Sequence, residues 1–132
     1  MEKVNKYKIA IIEDEVYLRR KLAEGLIEKG HEVFMEREGP DGLLLVKEIM
    51  PDIIILDLCM DPRGMDEGHY FLEDKNSKKN PSINNIPVII ISGKHPIEEL
   101  EKYKKEFDDV FVTLVKPVSL VQILNAIKGL NL

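Results

Sequence analysis

Two short runs of uninterrupted aliphatic residues limit the folds open to this chain more than any other feature. They are IIIL at residues 53–56 and VIII at residues 88–91, and neither alternates with polar residues as a strand with one solvent-exposed face does. Strands have this sequence pattern when helices cover both faces of their sheet, as in parallel sheets. We therefore place both runs in the interior of a parallel α/β sheet.

The rest of the chain alternates short β-branched runs with longer amphipathic stretches, the pattern of repeated βα units. Strands are predicted at residues 8–12, 32–36, 52–57, 88–91 and 110–115. The second is short and charged, which favours an edge of the sheet. Helices are predicted at residues 16–29, 40–50, 68–75 and 119–130, with a further βα unit between the last two strands.

Local signals set the helix boundaries. Gly30 is placed to cap the first helix, Pro51 to end the second, and Ser119 is a typical N-cap residue. Apolar residues at helical spacing give three of the helices a face toward the core; they are Leu18, Leu22, Leu26, Leu45, Val46, Ile49, Met50, Leu120, Ile123, Leu124 and Ile127.

Length and composition favour one domain, spanning residues 1–132, that buries a core without disulfides. No segment approaches the roughly 18 apolar residues that a membrane-spanning helix needs. Residues 1–6 lack the apolar core of a secretory signal, and the single cysteine, Cys59, cannot form an intrachain disulfide. These features predict a cytoplasmic protein, and the net charge of −5 argues against a nucleic acid partner.

We predict no ligand role for the histidines or for the lysines before the fourth strand. The three histidines are far apart and never at i, i+4 spacing, which does not suit a zinc site; they are His31, His69 and His95. We expect them in loops or in contact with solvent. Three lysines before the fourth strand are expected to belong to a solvated insertion: Lys75, Lys78 and Lys79.

Polar side chains stand at the C-terminal ends of four predicted strands: Glu13 and Asp14, Asp57, Ser92, and Lys116. Open α/β sheets bind ligands at this edge. Three carboxylates that meet there repel one another, so a cation is implied. Mg²⁺ prefers oxygen ligands and commonly combines one or two carboxylates with a substrate phosphate, which fits this donor set.

A carboxylate can also attack phosphorus and form an acyl phosphate, while Mg²⁺ and a lysine neutralise the transferring oxygens. Asp57 is the candidate nucleophile. Lys116 would contact one oxygen of the incoming phosphoryl group, and the hydroxyl of Ser92 would donate to another.

Four motifs resemble those of the receiver domains of bacterial two-component response regulators, in order and in separation. They are IIEDE at residues 11–15, ILDLCM at 55–60, VIIISG at 88–93 and LVKP at 114–117. The resemblance covers nearly the whole chain. It implies a doubly wound, flavodoxin-like sheet of five parallel strands in the order 2-1-3-4-5.

The resemblance also implies roles for individual residues. Asp57 would be the phosphoacceptor, and Asp14, Asp57 and the backbone carbonyl of Cys59 would hold Mg²⁺. Glu13, where the family commonly has aspartate, would assist through water. A histidine kinase or histidine phosphotransfer protein would supply the phosphoryl group, and a downstream protein would read it.

In the family, a serine or threonine moves to the phosphoryl group during switching, and Ser92 occupies that position here. The family's lysine–proline bond is often cis, and it corresponds to Lys116–Pro117. The family often has tyrosine or phenylalanine where this chain has Thr113. Phe111 has even spacing to Thr113 and should face the same side of the strand, but is expected in the core.

The segment after Asp57 departs further from the family. It is longer and more charged. Cys59 and Lys94 occupy two positions that tune the lifetime of the aspartyl phosphate, and neither is the usual acid or amide. We expect slow autodephosphorylation.

Three other functions stay open at this point. A pseudo-receiver or scaffold that signals without phosphate is suggested by Thr113 and by the altered segment after Asp57, and the chain could be the receiver of a larger regulator. A phosphohydrolase is disfavoured because Cys59 stands where such enzymes need an acid–base aspartate. Apart from its own phosphorylation and slow dephosphorylation, no enzymatic activity is expected.

Overall fold

The computed structural model describes residues 5–58, 67–93, 95–130 and 132, and these ranges contain one five-stranded sheet. The strands are β1 (Lys8–Ile12), β2 (Glu32–Glu36), β3 (Ile53–Asp57), β4 (Val88–Ser92) and β5 (Val110–Val115). The helices are α1 (Val16–Glu28), α2 (Gly39–Ile49), α3 (Glu67–Lys75), α4 (Ile97–Glu106) and α5 (Leu120–Gly129). The predicted alternation of strands and helices is confirmed.

The strands lie in the order β2-β1-β3-β4-β5, and all neighbours are parallel. This is the predicted doubly wound order, with the charged strand β2 at an edge. Every residue of β3 and β4 is buried. The two aliphatic runs therefore occupy the sheet interior, as predicted.

Helices cover both faces of the sheet and divide the core into two clusters. On one face α1 and α5 pack on alternate strand residues through Leu22, Ala23, Leu26, Ile123, Ala126 and Ile127. On the other face α2, α3 and α4 contribute Val46, Phe71, Leu72 and Leu100. Within the described residues, no helix is both long and apolar enough to cross a membrane.

Helix ends follow the local signals, but one residue predicted on a core face does not lie there. Gly30, with φ of 97°, takes the left-handed conformation that follows α1. Ser119 Oγ accepts a hydrogen bond from the Gln122 backbone N–H at 3.2 Å, forming the predicted N-cap of α5. The core role predicted for Met50 is wrong: it ends α2 with φ of 49° and is exposed, because the chain must leave the helix before Pro51.

Lys75, expected in a solvated insertion, and His31, expected in a loop or in contact with solvent, are both buried. Lys75 is fully buried, and its Nζ lies 2.6 Å from Asp109 Oδ2. His31 stacks on the Tyr7 ring, and its Nδ1 accepts the Tyr7 backbone N–H at 3.1 Å. The prediction of a solvated position for Lys75 is therefore wrong, because its charge finds a partner inside the fold. His31 lies in the loop between α1 and β2, as expected of the histidines, although it is buried there.

A bulge in β5 changes the expected position of Phe111. Val88 pairs with Val110, but the next residue of β4, Ile89, pairs with Val112, so Phe111 is an extra residue in the strand. Phe111 is exposed and lies beside Gly129 of α5. The even-spacing argument that placed it in the core on the side of Thr113 fails, because the bulge breaks the alternation.

Candidate functional site

The three carboxylates meet at the C-terminal edge of the sheet, as predicted. Ile12 of β1 pairs with Leu56 of β3, so the residues that follow each of them come together. Glu13 is 0% exposed and Asp57 is 1% exposed, while Asp14 is partly buried. One ligand oxygen from each of the three lies within 4.8 Å of the others.

Burial and mutual repulsion disfavour the fully ionised state of this cluster. Burial raises the pKa of Glu13, and the neighbouring Asp57 raises it further. The pKa of Asp14 is raised by burial and by Glu13. A cation bound between these groups would relieve both effects.

Lys116 supplies positive charge from the end of β5. Its Nζ is 2.7 Å from Glu13 Oε1 and 3.3 Å from Asp57 Oδ2. Burial alone lowers the pKa of Lys116, but the contacts with Glu13 and Asp57 outweigh it and raise the pKa overall. The Lys116 backbone N–H donates to the Ser92 carbonyl at 2.8 Å, and the Lys116–Pro117 bond is cis.

The net charge of these four side chains suits a divalent cation. Three carboxylates and one lysine leave two negative charges at neutral pH when all are ionised. Glu13 Oε1 is buried and lacks a partner in hydrogen-bond geometry, although Lys116 lies beside it as an ion pair. Oxygen donors of this kind suit Mg²⁺. The carbonyl of Cys59, predicted as a further ligand, and the side chain of Lys94 lie outside the described residues.

Backbone contacts fix Glu13 at the site. Its carbonyl accepts from Arg19 Nη1 at 2.7 Å, and its Oε2 accepts the Glu15 N–H at 3.2 Å. The other carboxylate oxygen is left to face Lys116. The role of Arg19 was not predicted, and only its position one turn into α1 could have suggested it.

A glycine brings α3 against the end of β3. The N–H of Gly68 donates to the Leu58 carbonyl at 3.0 Å, and a Cβ at Gly68 would lie 2.6 Å from that oxygen and from the Leu58 Cα. The Leu58 N–H in turn donates to the Ile91 carbonyl at 3.0 Å. Asp57 is therefore followed by backbone that α3 and β4 hold on both sides.

Ser92 is fully buried at the end of β4 and contacts a residue that the motifs did not include. Its Oγ lies 2.7 Å from His95 Nδ1 and accepts the His95 backbone N–H at 3.3 Å. His95 is partly buried in the loop between β4 and α4, and a loop position is what we expected of the histidines. The i, i+3 spacing after a serine, typical of a turn, was the available signal.

Thr113 stands on β5 opposite Ile90 and is partly buried. Its hydroxyl-bearing side chain has no ring to rotate between two positions.

A parallel α/β sheet that gathers an acidic cluster, a lysine and a serine at its C-terminal edge defines the class of phosphoacceptor signalling domains. The sequence model of the response regulator receiver domain matches residues 9–128. The chain belongs to this family.

Curated relatives agree with this assignment. Protein PilG of Pseudomonas aeruginosa is 33% identical over 92% of this chain and 85% of its own length. Protein PilH of the same organism is 28% identical over 91% of this chain and 96% of its own length. Other relatives are longer: the chain spans 37% of the probable transcriptional regulator ycf29 of Pyropia yezoensis and 52% of response regulator RR06 of Streptococcus pneumoniae.

Solved structures share the fold. The chemotaxis response regulator CheY4 of Vibrio cholerae superposes with a TM-score of 0.80 over 95% of this chain and 98% of its own, at 20% identity. NtrX from Brucella abortus gives a TM-score of 0.80 over 96% of this chain and 28% of its own, at 24% identity.

Proposed function

We propose that the carboxylate of Asp57 accepts a phosphoryl group from a histidine kinase or histidine phosphotransfer protein. The observation that carries the proposal is the position of Asp57, which shares Lys116 with Glu13 and lies within the same group of three carboxylates. A nucleophile beside a lysine and a cation-binding group is the arrangement that phosphoryl transfer requires.

The reaction forms one bond and breaks one bond. An oxygen of the ionised Asp57 attacks phosphorus, the phosphorus–nitrogen bond of the phosphohistidine breaks, and the imidazole leaves with a proton from solvent. Lys116 neutralises the transferring oxygens, and the Ser92 hydroxyl donates to one of them. Water later attacks phosphorus and releases inorganic phosphate, which restores the carboxylate.

Mg²⁺, when bound, neutralises negative charge on the phosphoryl oxygens. Asp14 and Asp57 would hold it directly, with Glu13 acting through water and the Cys59 carbonyl as a further ligand. Glu13 is already oriented for this part by Arg19 and Glu15. The residues present therefore fit the ion.

We propose that the domain passes on its signal by protein contact, as part of a two-component system or phosphorelay. We propose no catalysis beyond the phosphorylation and slow dephosphorylation of the domain itself, a cytoplasmic location, and no nucleic acid or membrane partner for the domain. The net charge of −5 supports the absence of a nucleic acid partner.

Intact-mass measurement after incubation with acetyl phosphate or phosphoramidate tests the proposal. We expect the gain of one phosphoryl group with Mg²⁺, no gain in excess EDTA, and no gain for Asp57→Ala. Asp52→Ala is the matched control, because Asp52 is an exposed aspartate at the other end of β3. A gain that persists in Asp57→Ala would contradict the assignment of the acceptor.

A second candidate, a pseudo-receiver or scaffold that signals without phosphate, is favoured by Thr113 and by the altered sequence after Asp57. It predicts no mass gain under any of these conditions. The complete set of Asp14, Asp57, Ser92 and Lys116 supports the phosphoacceptor.

A further inference from the structure

The Ser92 hydroxyl is held by His95, a residue with no part in the reaction above. Oγ lies 2.7 Å from His95 Nδ1 and also accepts the His95 backbone N–H at 3.3 Å. These two contacts restrain the position of Ser92 Oγ. His95 therefore contributes to the placement of the Ser92 side chain.

His95 in turn contacts α4. Its ring meets the Tyr103 ring edge to face, with centroids 6.4 Å apart and planes at 83°, a favourable arrangement for an aromatic pair. The Tyr103 hydroxyl lies 3.1 Å from Nδ1 of His69 in α3. His69 Nε2 pairs with Glu73, whose side chain is 54% exposed. A continuous line of contacts thus joins buried Ser92 to the surface of α3.

Tyr103 lies on the same side of the sheet as Thr113. Thr113 pairs with Ile90, and Ile90 belongs to the core cluster against which Tyr103 packs. An aromatic side chain linked to the serine is therefore present on this side, although α4 provides it and β5 does not. The Tyr103 ring also stacks on the Phe107 ring, with centroids 6.1 Å apart.

We propose that His95 is a positioning residue for Ser92, and that Tyr103 and His69 relay the state of the Ser92 hydroxyl to the surface between α3 and α4. This inference rests on the proposed function, because the phosphoryl group on Asp57 drives the relay. Ser92 has a single hydroxyl proton. When that hydroxyl turns to a phosphoryl oxygen, its contact with His95 changes, the His95 ring moves against Tyr103, and the Tyr103–His69 hydrogen bond carries the change into α3.

Nuclear magnetic resonance of the histidine rings tests the relay, with beryllium trifluoride and Mg²⁺ as a stable mimic of the phosphoryl group. The chain has only three histidines, so the signals are few. We expect His95 and His69 to shift on addition of the mimic. His31 is the internal control. It contacts Tyr7, the residue just before β1, and so lies away from the acidic edge of the sheet. Its signal should therefore not shift.

Tyr103→Phe separates the relay from a general conformational change, because it keeps the ring and removes only the hydroxyl. In this variant the mimic should still shift His95, while the shift of His69 is lost. Ser92→Ala should remove the response of both rings. His95→Ala should change the rate of phosphorylation. His95→Asn, whose amide can replace Nδ1 in the contact with Ser92, should retain the wild-type rate.

The outcomes distinguish the two levels of the proposal. Phosphorylation of Asp57 with a His69 signal that never shifts, or that shifts equally in Tyr103→Phe, would overturn the relay and leave the phosphoacceptor function standing. Failure of Asp57 to gain a phosphoryl group by intact mass would overturn the function, and the relay with it. Loss of the His69 response in Tyr103→Phe alone supports the relay.

Discussion

The Nζ of Lys116 lies 2.7 Å from Oε1 of Glu13, closer than the 3.3 Å that separates it from Oδ2 of Asp57. Glutamate has one methylene more than the aspartate common in the family, and that length lets Glu13 reach the lysine. Lys116 is therefore shared between a supporting carboxylate and the proposed nucleophile. One lysine cannot balance three acids, and this excess of negative charge has measurable consequences.

Asp14→Asn should stabilise the protein without Mg²⁺ and remove most of the stabilisation that Mg²⁺ provides. Burial and Glu13 raise the pKa of Asp14 above its usual 3.8, so its favourable contribution exists below that pH and is lost as pH rises through the higher folded pKa. At neutral pH the substitution should raise the free energy of unfolding by about 0.5 kcal/mol or more after solvent screening. Urea unfolding with and without Mg²⁺ measures this.

Asp41→Asn serves as the control for that substitution, because Asp41 is exposed in the first turn of α2. It should leave the Mg²⁺ response unchanged. Equal Mg²⁺ stabilisation of Asp14→Asn and the wild type would argue against Asp14 as a ligand.

Lys75→Met should destabilise the fold strongly. It removes the charged partner of Asp109, whose side chain is 2% exposed, and leaves this interior carboxylate with the neutral Asn76 amide at 3.2 Å in place of an ion pair. Breaking a buried pair typically costs about 3–5 kcal/mol, whereas replacing both partners is often tolerated. Lys78→Met, at an exposed position, is the matched control and should be neutral.

The double variant Lys75→Met with Asp109→Leu completes this experiment. It should recover much of the stability that the single substitution loses, because no isolated charge remains. A double variant no more stable than Lys75→Met would mean that hydrogen bonds, such as that from Lys75 to the Asn84 carbonyl at 3.1 Å, matter more than charge.

His31 should make the protein sensitive to mild acid. Burial lowers its pKa below the usual 6.5, so its contribution is complete above that pH and is lost as pH falls through the folded pKa. Protonation of Nδ1 would also break the hydrogen bond from the Tyr7 N–H. Lowering the pH below 6.5 should therefore reduce wild-type stability more than that of His31→Asn, measured by thermal unfolding; identical pH profiles would contradict the assignment.

Gly68→Ala should destabilise the protein by about 1–3 kcal/mol, since a methyl group there would meet the Leu58 backbone at 2.6 Å and something must move. It should also slow phosphorylation, because Leu58 follows Asp57 directly. Gly129→Ala is the control: its nearest contact would be an ordinary 3.6 Å to Phe111, and alanine favours a helix. Urea unfolding and intact mass measure the two effects.

Sequence patterns predicted the sheet because its strands carry strong local signals. Aliphatic runs identify β3 and β4, and polar residues at strand ends identify the site. Lys75 and His31 escaped prediction for the opposite reason: each is polar, and only the folded arrangement reveals its partner. His95 was missed because its i, i+3 spacing from Ser92 is only a weak turn signal, and no local pattern encodes its contact with α4.

The bulge at Phe111 has a final consequence for how β5 can vary. Because the strand accommodates Phe111 outside its pairing, Val110 and Val112 face opposite layers as adjacent residues of a regular strand would. A chain that lacked this residue would keep the same side chains on the same faces up to Lys116. The length of β5 is thus free to differ by one residue here without misdirecting the lysine.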